Sequence, residues 1–380
     1  MAGDHSSSSA IKSGLEGVVA GNSRICEVNG EKGELFYWGY NIHDLAQRAS
    51  FEETAYLLWH GELPKKEELN SLSNDLLQAC QLSPSIKELL KRFPRNASPM
   101  AVLRTAVSSL GMYDETLKDK SLEANQKRAV FLLGQTSALV AGFEKIRKGS
   151  DFVSPREDLS FAGNFLYMMS GTRPDDTSIK AINMALVLHA DHELNASTFA
   201  ARVTAATLAD IYSAATSAIG ALQGPLHGGA NEAVMKMLLE IGDTVNCESY
   251  VHQQLSQGRK IPGFGHRVYH TEDPRATHLR KMAKELGEKL NQLKWYEMLK
   301  KSEEVMWQEK KINANVDCYS AAVYKILGIP IDLYTPIFAV SRMSGWTAHA
   351  LEQYSDNRLI RPRAEYIGPK NRVFVQLNER

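Results

Sequence analysis

Strand signals occupy only the start of this chain, and that restriction limits the fold more than any other feature. Ile25 to Val28 and Leu35 to Tyr37 flank Asn29-Gly30, a dipeptide suited to a tight hairpin turn. Beyond them the sequence reads as helix. Ser50-Phe-Glu-Glu53 has capping-box spacing before Ala55 to Trp59, so the Ser hydroxyl and the Glu carboxylate can satisfy free first-turn amides. Ser98-Pro99 offers a second start of this kind. Helical patterns recur over 67–80, 100–111, 124–148 and 179–189, separated by Pro, Gly or Asn-rich breaks. Ala196 to Leu222 is Ala-rich and broken only by Arg202 and Asp210, which predicts one core helix buried on most sides. The expected class is mainly α with a short N-terminal β-hairpin, and no internal repeat is visible.

A chain of 380 residues exceeds what one hydrophobic core usually supports, so two domains are expected. Gly224-Pro225 and Gly228-Gly229 place a hinge near 220–225, where backbone freedom is greatest, and a second hinge falls near Asp317. Residues 1–222 would begin a large domain, 223–316 would form a small one, and 317–380 would return to the large one. Lys plus Arg and Asp plus Glu balance at 44 each, so no global field steers the chain toward nucleic acid or an anionic membrane. Cys26, Cys80, Cys247 and Cys318 form no CxxC pair, so they read as reduced structural thiols. Met1 to Ser9 is polar without a signal-peptide pattern, and no uninterrupted apolar span appears long enough for a bilayer. A cytoplasmic protein is expected. The sequons at Asn96 and Asn195 are read as chance.

Four short segments concentrate the chemistry. In His189-Ala-Asp-His192-Glu193 the two histidines are three apart on a helical pattern, whereas a catalytic zinc site normally wants the longer His-Glu-x-x-His spacing. No metal is expected, and His192 read alone could equally be a core histidine with satisfied hydrogen bonds. His227 sits in Gly224-Pro-Leu-His-Gly-Gly-Ala-Asn231, leading into an apolar helical pattern from Ala233. The positive end of a helix dipole disfavours an imidazolium, so a neutral His227 could donate to an oxygen gaining negative charge; a bystander in a glycine turn is the alternative. Lys260 to His270, followed by Asp273-Pro-Arg275, crowds glycines, histidines and arginines together. Gly263-Phe-Gly265 lacks the third glycine of a dinucleotide fingerprint, but amides and basic side chains there suit phosphate or carboxylate. Asn313-Ala-Asn-Val-Asp317 puts an aspartate just before an Ala-rich helix, where it could also be only an N-cap.

Together, GPLHGGAN, GFGHRVY with DPRA, and NANVD resemble the signatures of the citrate synthase family. The similarity runs from GLEGVVAG at Gly14 through FEETAYLLWHGELP, LHADHELNAST and SRMSGWTAHALEQ to RLIRPRAEYIG. It implies the two-domain helical fold of that family and a condensation of acetyl-CoA with oxaloacetate, followed by thioester hydrolysis, without a cofactor. By the same resemblance, Asp317 would remove a methyl proton from acetyl-CoA. His227 would hydrogen-bond the thioester oxygen, and His266 would polarise the ketone of oxaloacetate. Arg275, Arg342 and Arg361, with His192, would hold the oxaloacetate carboxylates. Arg361 matches a residue that the family contributes from a partner subunit, so a homodimer is implied. Lys260, Ile261, Gly263 and Gly265 would receive the adenine end of CoA. His270 stands where many relatives carry Lys or Arg near the CoA phosphates.

The nearest alternative is 2-methylcitrate synthase, which shares this mechanism but prefers propionyl-CoA. One methylene separates the substrates, worth only about 1–3 kcal/mol in an apolar pocket. A metal-dependent hydrolase using His189, His192 and Glu193, and a non-catalytic helical scaffold, are the remaining rivals.

Overall fold

The computed structural model describes residues 13–15 and 17–380. The Met1 to Ser9 segment lies outside the described residues. Strands β1 (Cys26–Asn29), β2 (Glu34–Tyr37) and β3 (Tyr40–Asn41) form an antiparallel sheet in chain order, with Cys26 opposite Tyr37 and Asn29 opposite Glu34. The expected hairpin is therefore a three-stranded meander. Residues 30–33 form its first connection, so Asn29-Gly30 is not itself a two-residue turn: Asn29 still pairs in β1, and its side chain accepts from the Lys32 amide at 3.0 Å.

Sixteen α-helices follow among the described residues. The first eight are α1 (Ile42–Arg48), α2 (Phe51–His60), α3 (Lys66–Ala79), α4 (Pro84–Arg92), α5 (Pro99–Leu110), α6 (Leu122–Arg147), α7 (Phe161–Ser170) and α8 (Asp176–His189). Then come α9 (Ala196–Ala206), α10 (Ile211–Leu222), α11 (Ala230–Ile241), α12 (Cys247–Ser256), α13 (Pro274–Lys289), α14 (Lys294–Lys310), α15 (Val316–Ile326) and α16 (Tyr334–Ser355). Their starts follow the local chemistry. Ser50 and Glu53 make the reciprocal capping box on α2, at 3.1 and 2.7 Å. Ser98 occupies the N-cap of α5 with Pro99 as the first helical residue, but its hydroxyl makes no capping bond. The Ala-rich run is two helices rather than one, because Asp210 accepts from the Ser213 amide at 2.9 Å and begins α10 as its N-cap.

Every residue from Tyr334 to Leu351 is buried, so α16 is the central helix, with α2, α5, α6, α8, α9 and α10 packed around it. Its polar residues are consequently paired inside. The Ser341 hydroxyl donates to the Leu186 carbonyl at 2.5 Å, and His349 Nε2 lies 3.2 Å from Asp191. Contrary to the sequence reading, α6 is long and apolar enough to cross a membrane, but 83% of its most apolar stretch is buried within the fold. Elsewhere α13 packs on α15, α14 and α8, while α11 packs on α15. After α16, residues 356–380 run over the outside in largely irregular conformation, leaving Tyr366, Ile367, Val373 and Phe374 exposed. The four cysteines are buried free thiols.

Candidate active site

Asp273 organises the centre of the site. As N-cap of α13 its carboxylate accepts from the Arg275 amide at 3.0 Å, then grips the Arg275 guanidinium through Nε at 3.0 Å and Nη2 at 2.9 Å. It also accepts from the amide of Val316, the first residue of α15, at 3.0 Å. Burial opposes charge on both partners, yet their mutual attraction holds Asp273 below the usual carboxylate range and Arg275 above its ordinary value. One buried ion pair thus fixes the start of α13 to the start of α15.

The helix start it fixes carries Asp317. Asn315 is the N-cap, its Oδ1 accepting from the Asp317 amide at 3.0 Å, so Asp317 lies inside the first turn rather than before the helix. A helix N-terminus favours a carboxylate. Burial wins nevertheless and raises Asp317 to about 6, with Arg275 pulling the other way. The Asn315 side-chain amide donates to the Gly265 carbonyl at 2.8 Å, and Gly263 and Gly265 bond to Asn315 and Asn313 through the backbone. These contacts tie the loop that carries His266 to the cap of α15. Gly263 is required there: its φ is +84°, and a Cβ would lie 2.7 Å from Val234 Cγ2 and 3.1 Å from Cys318 Cα.

His266 is fixed through its own loop. Nδ1 accepts from the amides of Val268 at 3.0 Å and Tyr269 at 3.1 Å, which leaves the proton of the neutral ring on Nε2. Burial, reinforced by the Arg275 charge, lowers its pKa to about 4. Arg275 Nη2 lies 3.5 Å from Nε2, so a guanidinium charge stands beside the ring N–H, a neighbourhood that suits an anionic or polarised oxygen.

His227 carries its proton on the other nitrogen. The indole N–H of Trp346 donates to Ser197 Oγ at 3.1 Å, and that hydroxyl lies 2.7 Å from His227 Nε2 and 2.8 Å from Asn195 Oδ1. The Ser197 amide donates to Nε2 at 3.3 Å, so the proton of neutral His227 sits on Nδ1. Its pKa falls to about 4, chiefly through burial and then through the Arg342 charge. Burial is thus the main cause that keeps this ring neutral.

Around these groups lie further polar side chains. His192 stands beyond the end of α8, with its ring 5.3 Å from that of His266 and Nε2 3.1 Å from the Tyr269 hydroxyl. It therefore does not share a helical face with His189, whose Nδ1 donates to the Ala185 carbonyl at 2.7 Å. Among the described residues no group of three His, Cys, Asp or Glu side chains could hold a metal ion. Arg342, buried in α16, donates from Nε to the His189 carbonyl at 2.7 Å, with its guanidinium 4.8 Å over the Phe338 ring. Arg361, by contrast, is exposed on the segment after α16. Of the four residues read as CoA contacts, Ile261 and Gly263 are buried in packing, Gly265 is half-buried and Lys260 is exposed. His270 lies outside, 3.5 Å from Glu31.

Sequence reading did not single out Ser197, Trp346, Tyr269, Asp273 or Phe338. Asp273 had a signal in its Asp-Pro helix start, and Phe338 had one in its spacing of four before Arg342. The Ser197 contact with His227 spans 30 residues and leaves no local pattern.

Known proteins resemble this chain over nearly its full length. The family model described as "Citrate synthase, C-terminal domain" matches residues 14–363. Citrate synthase 2 of Bacillus subtilis is 54% identical over 97% of this chain and 98% of its own length. The citrate synthase of Haloferax volcanii is 48% identical over 98% of this chain and all of its own. A solved citrate synthase from Thermoplasma acidophilum, in ternary complex with carboxymethyl coenzyme A and oxaloacetate, superposes with a TM-score of 0.91, at 34% identity over 97% of this chain and 99% of that one. Sequence and fold agree, and the chain belongs to the citrate synthase family.

Proposed function

We propose that Asp317, His227 and His266 perform the family's reaction as base, enol-stabilising donor and ketone-polarising donor. The observation that carries this reading is the pairing of two neutral imidazoles, of opposite tautomer, with a carboxyl raised to about 6. Asp317 takes a proton from the methyl of acetyl-CoA while His227 Nδ1–H donates to the thioester oxygen, so charge develops against a donor already in place. The resulting enol carbon attacks the ketone carbon of oxaloacetate as His266 Nε2–H donates to the ketone oxygen. Water then cleaves the citryl thioester, releasing citrate and the thiol of CoA.

Arg275 and Arg342 hold the carboxylates of oxaloacetate, with His192 beside them. Their charges are already desolvated, so the dianion replaces lost hydration on both. Arg361 completes the site of a second copy in a homodimer, a role supported by its exposure beside apolar side chains on the segment after α16. Residues 223–316 act as a small domain closing on the remainder, hinged at the 223–229 turn and before α15, and CoA enters past Lys260 and Gly265. The enzyme works without a cofactor and in the cytoplasm, where the four free thiols fit a reducing compartment.

Thiol release from purified protein with oxaloacetate, comparing acetyl-CoA with propionyl-CoA in the presence of a chelator, tests the reading. Faster release with acetyl-CoA is expected. Preference for propionyl-CoA would make the chain a 2-methylcitrate synthase, and silence with both would overturn the assignment.

A further inference from the structure

The N-terminal sheet touches the site at both of its ends. At its base, the Tyr37 hydroxyl donates to the carbonyls of Asp191 at 3.0 Å and Val187 at 3.3 Å, immediately before His192. At its tip, the connection 30–33 lies against residues 268–272, the continuation of the loop that carries His266. The Gly30 carbonyl accepts from the His270 amide at 3.0 Å. A Cβ on Gly30 would lie 2.1 Å from the Val268 carbonyl oxygen and 2.9 Å from its carbon. A Cβ on Gly33 would lie 2.5 Å from Thr271 Oγ1 and 2.8 Å from the Glu272 carbonyl.

A glycine at 33 also serves its own turn, since its φ is +67°. Gly30 has no such need: its φ is not in the left-handed region, so its own backbone would accept a side chain. What forbids one is the backbone of the opposing loop. That backbone in turn governs His266, because the amides of Val268 and Tyr269 are the two donors to Nδ1. We infer that Gly30 is a positioning residue for catalysis: by docking on residues 268–270, the hairpin tip holds the two amides that keep the His266 proton on Nε2, facing the ketone of oxaloacetate. The inference rests on the ketone-polarising role proposed for His266. The tip touches no substrate, and it acts only through the loop.

The experiment measures kcat, oxaloacetate affinity and the infrared carbonyl stretch of oxaloacetate bound to the parent enzyme and to Gly30→Ala. The stretch reports polarisation of the ketone, which a merely structural role would not move. In Gly30→Ala, kcat is expected to fall by at least about tenfold, as for a sub-ångström misplacement of a reacting group. The bound carbonyl should shift back toward its free frequency, while oxaloacetate affinity changes little because Arg275 and Arg342 are untouched. Gly33→Ala should give the same pair of changes and carries the test should Gly30→Ala not fold. Gly39→Ala is the control, since it strains the same sheet at φ +81° with nothing within 4 Å of its Cβ. Folded tip variants with parental kcat and carbonyl stretch would overturn the inference, as would an equal loss in Gly39→Ala. An unshifted carbonyl in the parent would instead remove the role assigned to His266, which separates the two failures.

Discussion

Asp317 sits where two forces oppose each other: a helix start and a nearby guanidinium favour its charge, while burial raises its carboxyl to about 6. A base must be ionised to accept a proton, so kcat should rise with pH through about 6 and level off above it. His227 and His266, lowered to about 4, are already neutral across that rise and should add no second limb there. A kcat–pH profile checks this, and a midpoint near the ordinary carboxylate value of about 4 would contradict it. Asp317→Asn keeps the shape of the side chain and removes the base, so turnover should fall by about 10²–10⁴ with the fold and oxaloacetate binding retained. Steady-state kinetics beside a ligand-binding isotherm would show this. The motifs singled out these groups, but the tautomers were not legible in them. They depend on Ser197 and Trp346 for His227, and on two loop amides for His266.

Among the elements, α15 and its cap show how a local signal is reused by the tertiary structure. Asn315 caps the helix with its side-chain oxygen and holds the Gly265 carbonyl with its side-chain nitrogen. Asn315→Ala should therefore cost about 1–2 kcal/mol of stability, the usual penalty of a lost cap, and also lower kcat by loosening the His266 loop against Asp317. Thermal unfolding and turnover of one variant read the two effects separately; full activity with reduced stability would limit Asn315 to capping. The helix starts at Ser50 and Asp210 obey the same rule, and α2 was legible for that reason. The break between α9 and α10 was not, because Ala-rich periodicity on either side outweighs one aspartate when only apolar spacing is read.

At the scale of the whole molecule, Arg361 is the one proposed carboxylate ligand that stands apart from the others and in the open. If a second copy supplies it, Arg361→Ala and Asp317→Asn should each be nearly inactive as pure proteins and should complement when mixed. Random reassortment puts both defects in one site of a mixed dimer and leaves the other intact, restoring roughly a quarter of the sites. Activity of mixtures after subunit exchange checks this. No recovery despite demonstrated exchange would place Arg361 in the site of its own chain.

The first two strands and the helices α2, α3, α5, α6 and α8 were legible because they depend on neighbours within a turn or two. Caps, turns and apolar spacing act over that range. Three features required the folded chain. Burial overrides the helix dipole at Asp317 and is the main cause that lowers His227, and burial is a property of everything packed around a group. The Asp273–Arg275 pair becomes part of a site only because α13 meets α15. The hairpin tip meets the His266 loop across more than 230 residues of sequence, a contact that no periodicity encodes.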